Sequence, residues 1–363
     1  MEEGLFSEEF VNKLPELNKF SNPLVVRILK DSAQSNKRLA EELRRWFSNL
    51  PPEKRSGMRG RLESQNDTDF YSAFFELALK DYFESAGLTV EYEPELEDKT
   101  TPDFRLKSGL QEVYVEVRTI MEPPDEQLHK KRMNDVLVQI DKIKTAYVLS
   151  VFFERVPDTS TKPTEMAHEV KKWLNELKLE NGARKSNVFA AGGYNLSVSA
   201  RHVPGFVEST GMVKFDAPPL KFLGASAELM RRGLKNKAGK YKNLQKLKKP
   251  YVVAICSTDE NFILDDVWIK LAAYGTLDGS VDGRGFFTLT GINPRNSGVS
   301  GLLHCKLLQD SNDFSFEIRY YDNPAARAKI PRAFGWHPRR VVQKQNCCWA
   351  KLFELFFSIK RLF

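Results

Sequence analysis

Between Glu112 and Thr119 the chain alternates. Val113, Val115 and Val117 fall on one side of an extended backbone, and Glu112, Tyr114, Glu116 and Arg118 fall on the other. The alternation predicts a strand with one face on a core and the other able to carry polar chemistry. Just upstream, Thr101-Pro102 stiffens the approach to Asp103, because the residue before proline is biased towards extended backbone. Lys107-Ser108-Gly109 is a turn signal. A hairpin is expected that brings Asp103 and Glu116 together. Phe70, Phe74, Leu77, Ala78 and Phe83 recur at helical spacing before Gly87, which predicts a helix with Glu76 and Lys80 on one face. Leu88 to Tyr92 reads as a strand.

Elsewhere the pattern predicts a pair of helices over Leu24 to Leu50, joined near Ser32 to Ser35 and closed by Pro51-Pro52. Ser56 to Arg61 reads as a basic turn and Glu63 to Thr68 as a loop, suggesting a boundary near residue 65. Glu122 to Arg132 reads as a charged crossing, followed by a helix from about Asp135 to Ala146 and a central strand from Tyr147 to Phe153. A helix is expected over Thr164 to Lys178, and a hairpin around Gly192-Gly193. Ala238 to Lys248 predicts a basic helix and Tyr251 to Cys256 a strand. Asp265-Asp266 reads as the capped start of another helix, preferred to a second metal site. Ser300 to Leu308 and Phe314 to Tyr320 read as strands, with His304 a packed or strand-face histidine of the first, and Trp349 to Phe363 as a terminal helix.

Composition narrows the class without changing this picture. At 363 residues, 41% hydrophobic and 28% charged, the chain can bury a sizeable core and exceeds a typical single domain. No N-terminal stretch shows a basic start, apolar run and small-residue cleavage site, and no apolar run nears about 18 residues, so a cytoplasmic protein without membrane association is expected. The four cysteines, Cys256, Cys305 and Cys347-Cys348, lack zinc-site spacing and are too few for a disulfide scaffold. Gly239-Lys240 lacks a surrounding phosphate-loop motif, so nucleotide use is not implied.

Charge adds more. The net charge is +7, and nine of the 20 residues from Arg231 to Pro250 are Lys or Arg, with no acid among them. That field suits phosphate, and Arg231, Arg232, Lys235, Lys237, Lys240, Lys242 and Lys246 are the candidate nucleic-acid contacts. A solvated helix face is the plainer alternative.

Two carboxylates held close repel one another, and a divalent cation relieves the repulsion. The order Glu76, Pro102-Asp103, Glu116-Val117-Arg118, then Gln139 and Lys142, resembles the restriction-endonuclease-like family of metal-dependent nucleases. That family's pattern is Pro-Asp, a spacer, Asp or Glu, any residue, and Lys. The resemblance spans roughly Asp67 to Glu154. It implies an α/β fold in which a mixed β-sheet flanked by helices forms the core (66–275), with an N-terminal helical region (1–65) and a C-terminal α+β extension (276–363).

The resemblance also implies roles. Asp103, Glu116, the Val117 carbonyl and Glu76 would hold Mg²⁺ or Mn²⁺, and oxygen-only ligation disfavours soft metals. Glu76, Asp103, Glu116, Arg118, Gln139 and Lys142 would form the catalytic set. Arg118 stands where the family carries Lys, and a guanidinium can clamp phosphate but cannot transfer a proton. Lys142, three residues from Gln139, is the replacement expected here. The leading expectation is therefore metal-dependent, endonucleolytic hydrolysis of double-stranded DNA in defence, restriction or repair. The alternatives are a nuclease-like DNA-binding protein with a weakened or dead site, and an interaction subunit, as a homodimer or within a defence complex.

Overall fold

The computed structural model describes residues 4–20, 22–121, 123–155, 161–180, 182–205, 207–215, 226–238, 240, 244, 248–258, 266–278, 284–287, 296–336 and 342–343. In chain order the elements are α1 (Glu8–Lys13), α2 (Leu24–Lys30), α3 (Gln34–Ser48), α4 (Pro52–Leu62), α5 (Asp67–Ser85), β1 (Thr89–Tyr92), β2 (Phe104–Ser108) and β3 (Gln111–Thr119). There follow α6 (Pro124–Asp141), β4 (Tyr147–Arg155), α7 (Pro163–Glu176), β5 (Arg184–Ala191), β6 (Tyr194–His202) and β7 (Val213–Phe215). The chain continues with α8 (Ser226–Ala238), β8 (Tyr251–Thr258), α9 (Asp266–Tyr274), β9 (Gly301–Gln309), β10 (Phe314–Asp322), a 3₁₀ turn at Arg332–Phe334 and β11 (Val342–Gln343).

The chain folds as two compact units, the first comprising 1–15, 23–121 and 222–363 and the second 16–22 and 122–221. It is an α/β protein of mixed sheets flanked by helices. The first unit holds a seven-stranded sheet in the order β1-β2-β3-β8-β9-β10-β11. β3 pairs antiparallel with β2 and parallel with β8, and β8 is parallel to β9. Every residue of β8 is buried, as expected of a parallel strand covered on both faces. One face packs Val113, Val115 and Val117 against Phe70, Phe74 and Leu77 of α5. The other packs Tyr114, Val253 and Ile255 against Met230 and Leu234 of α8 and Ile269 of α9.

Local chemistry explains the hairpin and its helix. The Asn66 side chain accepts from the Thr68 N–H at 2.9 Å and caps α5. Gly109 takes φ +58° in the turn between β2 and β3, a left-handed conformation that glycine adopts without a Cβ penalty.

The expected boundaries near 65 and 275 both fall inside a shared core. Met58 and Leu62 pack in the same cluster as Phe70, and Ala272 in the same cluster as Phe286 and Leu302. The stretch read as a basic turn, Ser56 to Arg61, is instead part of α4. Pro52 occupies a first-turn position, where no N–H is needed, and Met58 and Leu62, four apart, bury the helix despite Gly57 and Gly60.

The charged crossing from Glu122 is likewise largely helical. Prolines at the N-cap and first position start α6, Asp125 and Glu126 suit its first turn, and the apolar stripe of Met133, Val136, Leu137 and Ile140 begins only later. This helix ends at Asp141 and Lys142 is its C-cap, so the predicted continuation to Ala146 does not form.

The second unit has its own four-stranded sheet, in the order β5-β6-β4-β7. β4, expected to extend the sheet of the hairpin, belongs here. The hairpin at Gly192-Gly193 forms as expected, with Ala191 opposite Tyr194. Helices α6 and α7 cover one face of this sheet with Met133, Leu137, Met166 and Val170. Most of the predicted helix from Ala238 to Lys248, and all of that from Trp349 to Phe363, lie outside the described residues, as do Lys242, Lys246, Asp265, Cys347 and Cys348.

Candidate functional site

The hairpin brings Asp103 and Glu116 together. Phe104 pairs with Val115, so the next step of the ladder sets Asp103 beside Glu116. The Asp103 Oδ2 accepts from the Val117 N–H at 2.6 Å, and the Asp103 carbonyl accepts from the Glu93 N–H at 2.8 Å. A strand residue presents its N–H and C=O to the same neighbour, so the Val117 carbonyl is directed to the Asp103 side as well.

Glu116 is 1% exposed on an interior strand. Helix α8 covers its face of the sheet. Gly233 permits the close approach, since a Cβ built there would lie 3.2 Å from Ile120 Cδ1 and 3.7 Å from Arg118 Nε.

The α8 segment delivers cations to this acid. Glu116 Oε1 accepts from Lys240 Nζ at 2.9 Å and also from Lys237 Nζ. Burial pushes the Asp103 carboxyl well above the usual carboxylate range, and the Glu116 and Glu76 charges push it further. The Val117 N–H and the Lys237 ammonium only partly offset these. Three acids thus meet electrostatically at the open end of the hairpin, with the strain concentrated on Asp103.

Glu76 is placed differently. It is 5% exposed on the α5 side of the sheet, where Arg61 of α4 grips both carboxylate oxygens at 2.7 Å and Tyr92 Oη donates at 2.8 Å. Burial alone would lower the Arg61 guanidinium, but the Glu76 carboxylate outweighs it and holds it above its ordinary value. Burial, and then the Glu76 charge, pushes the Tyr92 phenol up. Glu76 therefore anchors α4, α5 and β1 to one another. Lys80, on the same helix, pairs with Glu84 at 2.6 Å.

Among the described residues no group of three or more His, Cys, Asp and Glu side chains is assembled to hold a metal ion. The donors that fit a hard cation are fewer: Asp103, Glu116 and the Val117 carbonyl, all oxygens. Arg118 is exposed one position beyond Val117. Gln139 lies on α6 and Lys142 at its end, both in the second unit.

No family model matches this chain, and no curated protein or solved structure matches it.

The basic segment divides in use. Lys237 and Lys240, expected to face nucleic acid, engage Glu116 instead. Arg231 donates to the Arg284 carbonyl at 2.8 Å, Arg232 pairs with Glu228 at 3.3 Å, and Lys235 is exposed. That the two lysines reach Glu116 was not legible locally, since they follow it by 121 and 124 residues.

The remaining chemistry-bearing groups are structural. Asp266 starts α9 and is braced by Lys270 at 2.7 Å, Tyr321 Oη at 2.7 Å and Arg319 at 3.3 Å. Burial raises its carboxyl, but these partners together bring it below its ordinary value. His304 is buried against Ser257 Oγ at 3.0 Å, and burial, with Arg319 and Lys306 nearby, pushes its imidazole down to about 3. It is therefore neutral at physiological pH. Cys256 and Cys305 are buried and face each other across β8 and β9, and burial pushes the Cys256 thiol up, away from nucleophilic use. No helix among the described residues is long and apolar enough to cross a membrane.

Proposed function

We propose that the Asp103–Glu116 end of the hairpin is a divalent-cation site for phosphodiester hydrolysis of double-stranded DNA, with Mg²⁺ the preferred ion and Mn²⁺ a substitute. The observation that carries this reading is the register of the hairpin, which sets the half-buried Asp103 beside the buried Glu116 with the Val117 backbone against the Asp103 carboxyl; burial and the Glu116 and Glu76 charges push that carboxyl upward. Such a cluster stores repulsion that a cation relieves.

A bound Mg²⁺ supplies Lewis-acid polarisation of the phosphate and a water of lowered pKa. The chain's own residues do the rest. Asp103 and Glu116, with the Val117 carbonyl, supply hard oxygen donors. Lys237 and Lys240, released from Glu116, become available to phosphate oxygens, and a lysine can also move a proton where Arg118 cannot. Arg118 and the exposed Lys235 and Arg232 extend the cationic surface available to the DNA backbone. Glu76 acts through its field on Asp103 and through the rigidity of the Arg61 clamp. The second unit bears Gln139 and Lys142, whose part in the reaction rests on the resemblance alone. So do the restriction-endonuclease-like identity of the core, the role in defence, restriction or repair, the cytoplasmic setting and any homodimer or defence complex.

Cutting of supercoiled plasmid should appear with Mg²⁺ or Mn²⁺ and vanish in EDTA. Asp103→Ala and Glu116→Gln should each reduce it by more than about 100-fold. Cutting that persists in EDTA, or that survives Asp103→Ala, sinks the assignment.

A second reading is favoured by one observation. Two lysines already neutralise Glu116, and Arg118 replaces the family's Lys. These are the features of a site that holds metal and DNA without cleaving. Binding of duplex DNA and of Mn²⁺, with no cutting under any metal, selects it.

A further inference from the structure

Helices α6 and α7 cover one face of the second unit's sheet, and among the described residues of that unit no helix covers the other. Its strands alternate, so Leu149, Val151, Leu196, Val198 and Ala200 point into the core under α6 and α7 and their neighbours point the other way. The pairing registers arrange those neighbours in rows across the strands. Ser197 stands between Val188 on β5 and Phe152 on β4. The next row runs Ser186, Ser199, Ser150 and Lys214. Beyond it, Arg184 lies opposite Arg201.

Two features of this face are unfavourable for the isolated chain. Phe152 is 47% exposed and Val188 54% exposed, in one row on either side of Ser197. Arg184 and Arg201 are both exposed and form a like-charge cross-strand pair, an arrangement that destabilises a sheet. Among the described residues of these rows none is Asp or Glu. The Arg184 Nε reaches Ser199 Oγ at 3.1 Å, which lays its guanidinium along the hydroxyl row.

We infer that this face binds single-stranded nucleic acid. A base stacks on Phe152, with Val188 extending the apolar platform, and the Ser150, Ser186 and Ser197 hydroxyls serve the polar edges and the sugar. Arg184, Arg201 and Lys214 take the phosphates of neighbouring nucleotides. The arginine row lies about 13 Å from the Phe152 row, four residues along a strand. A polyanion is the occupant that relieves the opposed arginines, and a π-face is what an exposed phenylalanine among polar neighbours accommodates. The inference does not depend on the hairpin site: the surface would bind whether or not that site cuts.

The test uses the full chain in EDTA and a fluorescein-labelled oligothymidylate of about 12 nucleotides, within the site sizes of such platforms, read by anisotropy. Phe152→Ala should weaken binding about 5- to 100-fold, Phe152→Leu nearly as much, and Phe152→Tyr should retain it. Arg184→Ala combined with Arg201→Ala should flatten the dependence of log affinity on log salt by about 1.4. All of these positions are exposed, and unchanged melting temperatures would show that the variants fold. Affinity equal to wild type in Phe152→Ala and in the double arginine variant overturns the inference. So does Phe152→Leu binding as tightly as wild type. Loss of self-association in Phe152→Ala with unchanged oligonucleotide binding also overturns it, by assigning the face to a second copy of the chain. Asp103→Ala should leave oligothymidylate affinity intact, which separates this surface from the hairpin site.

Discussion

Glu76 and Glu116 are both buried acids on the two faces of one sheet, and they are neutralised in opposite ways. Glu76 is gripped at both oxygens by a planar guanidinium, with a tyrosine hydroxyl completing its shell. Glu116 is met by two lysines on long flexible stems, one at the end of α8 and one in the turn beyond it. The first arrangement is rigid and matched in geometry. The second can be exchanged for another cation at little structural cost. Asp103 feels both acids, and burial together with the Glu116 and Glu76 charges pushes its carboxyl above the ordinary range. A buried carboxylate in this fold is thus structural or poised for chemistry according to the partner it is given.

The contrast can be broken most directly at Arg61. Arg61→Ala leaves Glu76 buried and unpaired, and should cost about 3 kcal/mol of unfolding free energy. The loss should be read by urea denaturation and should not be recovered by Mg²⁺. Lys237→Ala combined with Lys240→Ala should cost less, about 2 kcal/mol in EDTA, because both lysines reach solvent. Here Mg²⁺ should restore much of the stability. Equal responses of the two variants to Mg²⁺ would erase the distinction between the sites.

The smallest effect should come from Asp103→Asn, and it should have the opposite sign. The Asp103 carboxyl titrates higher in the folded chain than in the unfolded one. Between those values the folded state binds more protons, so its stability falls as pH rises through the folded value. Removing the charge should stabilise the chain by about 1 kcal/mol at pH 8, and the gain should disappear below about pH 4, where the aspartate is protonated in both states. A thermal melt series across pH reads this. A destabilising Asp103→Asn at pH 8 would mean that the carboxylate is satisfied as it stands.

Much of the hairpin was legible because its determinants are local. Alternation from Glu112 to Arg118, the proline before Asp103 and the glycine at 109 specify strand, approach and turn without outside help. The environment of Glu116 was not, because it depends on α8, which crosses β3 more than 100 residues later with Gly233 at the contact. The alternation of β3 puts Glu116 on the face able to carry polar chemistry, but only α8 makes that acid a buried one. In α4, two glycines and a run of arginines suggested a turn, and only the packing of Met58 and Leu62 makes a helix. Lys142 was chosen by its spacing from Gln139, yet both fall in the second unit, and the lysines at Glu116 come from the basic segment. The open face around Phe152 escaped notice because the residue lies within an apolar run, Tyr147 to Phe153, where only the register tells inward from outward.

The seven-stranded sheet places β3 directly against β8, with all of the second unit except its 16–22 segment lying between them in the chain. During synthesis the hairpin emerges with one long edge bare, and β8 follows more than 130 residues behind it. At ribosomal rates of about 5–20 residues per second, that edge waits on the order of 10 s for its partner. The intervening unit can fold in that interval. Glu116 gains Lys237 and Lys240 only once α8 and the turn beyond it have been made, and the bare edge of β3 gains β8 later still, so a product truncated before α8 is expected to expose both a strand edge and an uncompensated acid.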